Sequence, residues 1–393
     1  MILLDHAATA PVRREAVEAM WPYLTGDFGN PSSVHELGRR AGLGLEQARG
    51  QVAEVLGARP SEVVFTSGGT EADVLALQGI ILPKLLRARR QGTLDAPLRL
   101  VTTAIEHGAV RQTAASLKRI HGIEVDLLPV DSTGRVDPED LRRILRPETA
   151  LVSVHLGNNE IGTVQPIAEL AAVAHEAGVP IHTDAVQAAG QLDLDVAALG
   201  VDALSVSGHK VGSPKGVGAL WIRPRLPLEP VLTGGGQESG RRSGTQNVAG
   251  AVAMGTAMAL AEAERTAPGE VGAAARAARR DRFIARVLEG VDGVRLSGHP
   301  EHRLPQHASF LIDGVTGEAV LVELEARGVL CSVASACSAG LAGPSPVLAA
   351  LGLDSEAAQS SLRCTFGPHT TEAELEEAAA AVVAGIQAVR RLG

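Results

Sequence analysis

Between Glu62 and Ser207 the chain repeats one pattern: a short apolar run, then a stretch with helical spacing. Glu62–Thr66, Leu98–Ala104, Glu124–Val130, Ala150–His155, Val179–Thr183 and Ala203–Ser207 read as strands. Glu71–Ile81 and Ile167–Ala177 read as helices between them, and Asp137-Pro138 marks another helix start. Short apolar strands separated by helices imply a mostly parallel sheet covered on both faces, an α/β fold.

The pattern changes beyond the glycine-rich middle. Ala257–Leu288 reads as one long helix or two, interrupted near Pro268-Gly269. Strand-like runs at Ala308–Ile312 and Val329–Val333 and a closing helix from Glu372 suit a smaller α+β domain. The expected division is a large domain over residues 13–258 and a small one built from 1–12 and 259–393. Aromatic residues are 2% of the chain, so stacking platforms for single-stranded nucleic acid are not expected. The net charge of −9 disfavours nucleic acid or an anionic membrane as a partner. Three cysteines without C-x-x-C spacing suit free thiols, and Pro83 and Lys84 interrupt the most apolar stretch. A soluble, cytoplasmic protein is expected.

The residues at the strand ends carry chemistry. Lys210 lies in Ser207-Gly208-His209-Lys210, and Asp184 and Gln187 lie in Asp184-Ala185-Val186-Gln187. A lysine bonds covalently to an aldehyde cofactor, and a carboxylate keeps a pyridine nitrogen protonated; pyridoxal phosphate chemistry needs both. Ser67-Gly68-Gly69-Thr70-Glu71 follows a strand and opens a helix, offering backbone N–H groups to a phosphate. His107 follows a strand and can lie over a ring. Asn159 and Arg363 suit a ring oxygen or a substrate carboxylate. Cys337 lies among small residues in Ser335-Ala336-Cys337-Ser338. Taken singly, each also fits a plainer reading: a helix cap, a polar turn, an ion pair, an inert thiol.

In order along the chain, these segments resemble the cysteine desulfurases, a branch of the class V aminotransferase-like enzymes. The resemblance includes Leu4-Asp5-His6-Ala7-Ala8-Thr9, Thr66-Ser67-Gly68-Gly69-Thr70-Glu71, Asn158-Asn159-Glu160-Ile161-Gly162-Thr163 and His182-Thr183-Asp184-Ala185-Val186-Gln187. It continues through Gly208-His209-Lys210, Arg242-Ser243-Gly244-Thr245 and Ser335-Ala336-Cys337-Ser338 to Arg363.

The resemblance implies the fold type I of pyridoxal phosphate enzymes, with a mostly parallel seven-stranded sheet, and a homodimer with active sites at the interface. It makes Lys210 the cofactor-bonding lysine, His107 the ring-stacking residue, and Asp184 and Gln187 the ring-atom partners. Gly69, Thr70, Ser207 and His209 would hold the phosphate, joined by Thr245 from the partner subunit. Asn159 and Arg363 would hold the substrate. Cys337 would take sulfur from L-cysteine as a persulfide and pass it to an acceptor protein, an iron–sulfur scaffold or a tRNA-thiolation enzyme. The alternatives are a selenocysteine lyase, a small-substrate aminotransferase, or a catalytically silent partner-binding relative.

Overall fold

The computed structural model describes residues 1–93, 96–334 and 345–392. Twelve strands form among the described residues: β1 (Ile2–Leu3), β2 (Val63–Thr66), β3 (Arg99–Thr103), β4 (Glu124–Leu128), β5 (Thr149–Ser153) and β6 (Ile181–Asp184), then β7 (Ala203–Ser207), β8 (Gly218–Ile222), β9 (Val294–Leu296), β10 (His307–Ile312), β11 (Val329–Leu330) and β12 (Ser361–Thr365). Seven of them make the main sheet, in the order β2-β8-β7-β6-β5-β3-β4. The stretch from β4 to β7 is parallel, while β8 runs antiparallel to both β7 and β2. β2, β5, β6, β7 and β8 are buried along their whole length, because helices cover both faces.

One face carries a core built around Val52, Val101, Val152, Leu204 and Met254. The other carries Leu75, Leu77, Ile80, Leu100, Leu151 and Leu220. The helix Gly69–Gln91 supplies much of the second core and runs ten residues past the expected end at Ile81. Pro83 lies inside it and cannot donate to the Gly79 carbonyl one turn back. The Glu229 N–H takes that place, donating to Gly79 O at 2.8 Å, so the helix continues.

A third core surrounds the small antiparallel sheet β12-β10-β9, with Phe283, Phe310, Phe366 and Leu375. The expected long helical stretch is two helices, Val248–Thr266 and Ala273–Gly290, parted around Pro268-Gly269. The first residues belong with this smaller unit. β1 pairs in parallel with β11, and Asp5 bridges to Thr365. From there residues 6–10 reach the main sheet, where the Ala10 N–H donates to His209 O at 3.0 Å. No helix among the described residues is long and apolar enough to cross a membrane.

Candidate active site

The carboxyl ends of the parallel strands gather most of the expected residues, as open α/β sheets do. Asp184 is the last residue of β6 and Ser207 the last of β7; His107 follows β3 and Asn159 follows β5. The 3₁₀ turn Gly208–Lys210 continues directly from β7. Gly69 opens its helix beside them. A Cβ on Gly69 would fall 2.7 Å from Val186 Cγ2 and 3.3 Å from Ser207 Cβ, so only glycine lets the helix start approach that closely. Gly69 and Ser207 are buried there, while Thr70 is exposed.

Lys210 Nζ donates to Ala7 O at 2.5 Å and to Ala8 O at 2.9 Å. Gln187 Nε2 donates to the same Ala7 carbonyl at 2.9 Å. His209 Nδ1 lies 3.1 Å from Thr9 Oγ1. Burial, helped by the positive charges of Lys210 and Lys215, lowers the His209 pKa to about 4. Near neutral pH that ring is uncharged and keeps one N–H to donate.

Asp184 is 7% exposed, and burial raises its pKa. The nearby His107 and the Val186 N–H, at 2.9 Å from Asp184 Oδ1, oppose that rise. His107 caps the helix Gly108–His121, its Nδ1 accepting from the Ala109 N–H at 3.1 Å. One ligand atom each of His107, Asp184 and Asp73 lies within 4.8 Å of the other two.

Sequence reasoning missed what lies behind this group. Asp73, 1% exposed, sits one helical turn after Gly69 and faces His182 Nε2 at 3.7 Å. His182 bridges Ser153 Oγ at 3.0 Å and Ser205 Oγ at 2.9 Å. Burial lowers its pKa to about 3. Glu106 accepts from Thr103 Oγ1 at 2.7 Å and pairs with His155 Nδ1 at 3.3 Å. Burial alone would lower the His155 pKa, but the Glu106 carboxylate raises it. Polar residues in apolar strands, such as His182 between Ile181 and Asp184, were the available signal.

Arg363 is 1% exposed. Its Nη2 donates to Asp5 Oδ1 at 2.8 Å and its Nη1 to Asn159 O at 3.2 Å, while its buried Nε has no partner among the described residues. That fork suits a carboxylate. The neighbouring Asn158 is structural: Oδ1 accepts from the Glu160 and Ile161 N–H groups, and Nδ2 donates to Ile105 O. Thr245 is exposed, three residues from Arg242, whose Nε pairs with Glu71 Oε1 at 2.7 Å beside the Gly69 helix start. Cys337 lies outside the described residues. A cavity of about 610 Å³ also reaches Lys210 and Gln187, but Asp184 and His107 are not among its walls.

This donor set fits pyridoxal phosphate. A buried carboxylate, a lysine within the same strand-end cluster, and a glycine-tight helix start beside a buried serine match its ring nitrogen, aldehyde and phosphate. The comparisons with known proteins agree. The aminotransferase class-V family model matches residues 2–377. An IscS-like cysteine desulfurase of Mycobacterium tuberculosis is 44% identical over 394 residues, covering 100% of this chain and 98% of that protein. Cysteine desulfurase IscS of Dictyoglomus turgidum is 41% identical over 380 residues, covering 95% of this chain and 91% of that protein. Among solved structures, a NifS-like protein superposes with a TM-score of 0.85 at 32% identity, covering 98% of each chain. SspA in complex with cysteine gives 0.80 at 34% identity, covering 94% of this chain and 99% of that one. Matched from end to end at these identities, the chain belongs to the class V aminotransferase family and, within it, to the cysteine desulfurases, enzymes that use pyridoxal 5'-phosphate.

Proposed function

We propose that the chain converts L-cysteine to L-alanine and hands the sulfur, as a persulfide on Cys337, to an acceptor protein. The observation that carries this reading is the convergence of Lys210, Asp184, His107, Ser207 and Gly69 at one end of the main sheet. Pyridoxal phosphate, when bound, supplies an electron sink for charge developing at the substrate Cα. The Gly69 helix start, Thr70, Ser207 and neutral His209 hold its phosphate, with Thr245 of a second subunit joining them. Asp184 would face the ring nitrogen, its carboxylate form favoured by the Val186 N–H and the nearby His107. Gln187 and Asn159 hold ring oxygen.

Arg363 holds the substrate carboxylate. The Lys210 amine would take the Cα proton. Cys337, as thiolate, attacks the substrate sulfur; the new S–S bond forms as the substrate C–S bond breaks, and alanine leaves. Residues 13–258 act as the cofactor-holding domain, and 1–12 with 259–393 as the smaller one. The active form is a homodimer. Trp21, Leu24, Phe28, Val34 and Leu43 all stand exposed on the N-terminal helices and the loop between them, an apolar area that a second copy would cover. The protein works in the cytoplasm, and its acceptor is an iron–sulfur scaffold or a tRNA-thiolation enzyme.

The test is the visible spectrum of the purified protein before and after L-cysteine, with alanine and sulfide assayed under reductant. Released alanine and sulfide, lost in Lys210→Ala and Cys337→Ser, support the reading. Alanine production unchanged in Cys337→Ser would overturn the persulfide step.

A further inference from the structure

Two of the three thiols have no part in that chemistry, and the fold brings them together. Ser332 and Arg363 exchange both backbone hydrogen bonds, at 3.1 and 2.6 Å, in an antiparallel bridge. Their neighbours Cys331 and Cys364 therefore form the next, non-hydrogen-bonded pair. In such a pair the Cα atoms lie about 4.5 Å apart, with side chains on the same face. A disulfide spans Cα separations of roughly 4.4–6.8 Å, a range that includes a regular pair of this kind.

One residue further, Leu4 enters between the strands: its N–H donates to Leu330 O, and its carbonyl accepts from Thr365 N–H. The pair thus sits between that bridge and the point where Leu4 separates the two strands. Cys331 is half-buried and Cys364 fully buried, both against the core of the small sheet. Contact with Cys331, then burial, raises the Cys364 pKa, so this thiol reacts only as its proton passes to a departing group. The side chain of Arg363 points to the other face, toward Asn159 and Asp5.

We propose that Cys331 and Cys364 form a closable dithiol that takes sulfane sulfur from a persulfide and discharges it as sulfide. The proposal rests on the desulfurase reading only in that persulfide is the sulfur species at hand. Cys331, the reachable thiol, attacks the outer sulfur of a donor persulfide; a Cys331 persulfide forms and the donor leaves as a thiol. Cys364 sulfur then attacks Cys331 sulfur. The new S–S bond forms between the two cysteines, the bond to the outer sulfur breaks, and the Cys364 proton leaves with it as hydrogen sulfide. The two thiols are oxidised to a disulfide, and one sulfane sulfur is reduced to sulfide. Arg363 stays on its own face throughout, so closure leaves the carboxylate fork in place.

The experiment uses cofactor-loaded Cys337→Ala protein and glutathione persulfide. The expected result is one sulfide released per chain, an intact mass lower by two hydrogens, and a peptide link between Cys331 and Cys364. Adding Cys364→Ser should stop the reaction at a Cys331 persulfide, one sulfur heavier, with no sulfide. Adding Cys331→Ser, at a half-buried position that is easier to fold, should leave the mass unchanged. No intramolecular link in the Cys337→Ala protein, or sulfide release undiminished by Cys331→Ser, overturns the proposal. The donor is added from outside, so the result stands whether or not the chain makes alanine from cysteine.

Discussion

Removing the Glu238 carboxylate should destabilise the protein far more than a surface charge would. Glu238 side-chain exposure is 1% and that of Arg49 is 8%. The carboxylate accepts from Arg49 Nη1 at 2.6 Å, Arg49 Nη2 at 2.9 Å and the Phe65 N–H at 2.9 Å. Breaking a buried pair by removing one partner costs about 3–5 kcal/mol, because the other charge stays buried. Arg49 keeps Val63 O at 2.9 Å and exposed Glu46 at 3.1 Å, which places Glu238→Ala near the lower end, about 3 kcal/mol.

The double variant Arg49→Met with Glu238→Ala no longer buries a lone charge. It should recover about 1–2 kcal/mol, short of the parent because the Phe65 N–H and Val63 O lose partners. Urea unfolding of the cofactor-free chains, with m-values compared, reads all three. A Glu238→Ala cost below about 1 kcal/mol, or a double variant no more stable than the single, would refute the reasoning. The pair matters for the site because it fixes Glu238 and Ser239, both in the left-handed region at φ 50° and 57°. These two residues lead into Arg242 and Thr245.

Three other outcomes are expected. Asp184→Asn should retain the cofactor's visible band but lower kcat by about 10²-fold or more, the scale of one lost charge-stabilising group at a reacting centre. Arg363→Lys should raise the KM for L-cysteine by about tenfold or more with little change in kcat, because a point charge replaces a fork; equal loss in kcat would contradict the substrate role. His182 is neutral in the fold, with its pKa lowered to about 3 from 6.5. The stability it contributes is full above pH 6.5 and falls by about 1.4 kcal/mol per unit as pH drops from there toward 3. Between pH 6.5 and 5 the parent should therefore lose about 2 kcal/mol more than His182→Asn, read from urea midpoints; parallel losses would contradict a neutral His182.

The strands of the main sheet were legible because each is short, apolar and bounded by a turn, and the motifs fall where those strands end. The sheet order was not legible. The antiparallel β8, which inserts between β7 and β2, depends on long-range packing that no local spacing records. The helix at Gly69 outran its expected end because the partner for the Gly79 carbonyl comes from Glu229, 150 residues later. Lys210, Asp184, His107 and Gly69 announced themselves through glycine-rich or acidic turns after strands. Asp73 and His182 did not: one lies on the buried face of a helix and the other inside a strand, and only the fold brings them together. The Glu238–Arg49 pair joins residues 189 apart and was invisible for the same reason.

Residues 5–8 give the site an unusual economy of parts. Arg363 holds the Asp5 carboxylate, and two residues later the Ala7 carbonyl holds both Lys210 and Gln187. If Arg363 holds the substrate carboxylate, as proposed, that carboxylate competes with Asp5. On that reading the affinity for cysteine would be a difference between two guests of one fork, and weakening the resident guest would raise it. An Asp5→Asn chain should then bind cysteine more tightly, read as a lower KM for L-cysteine.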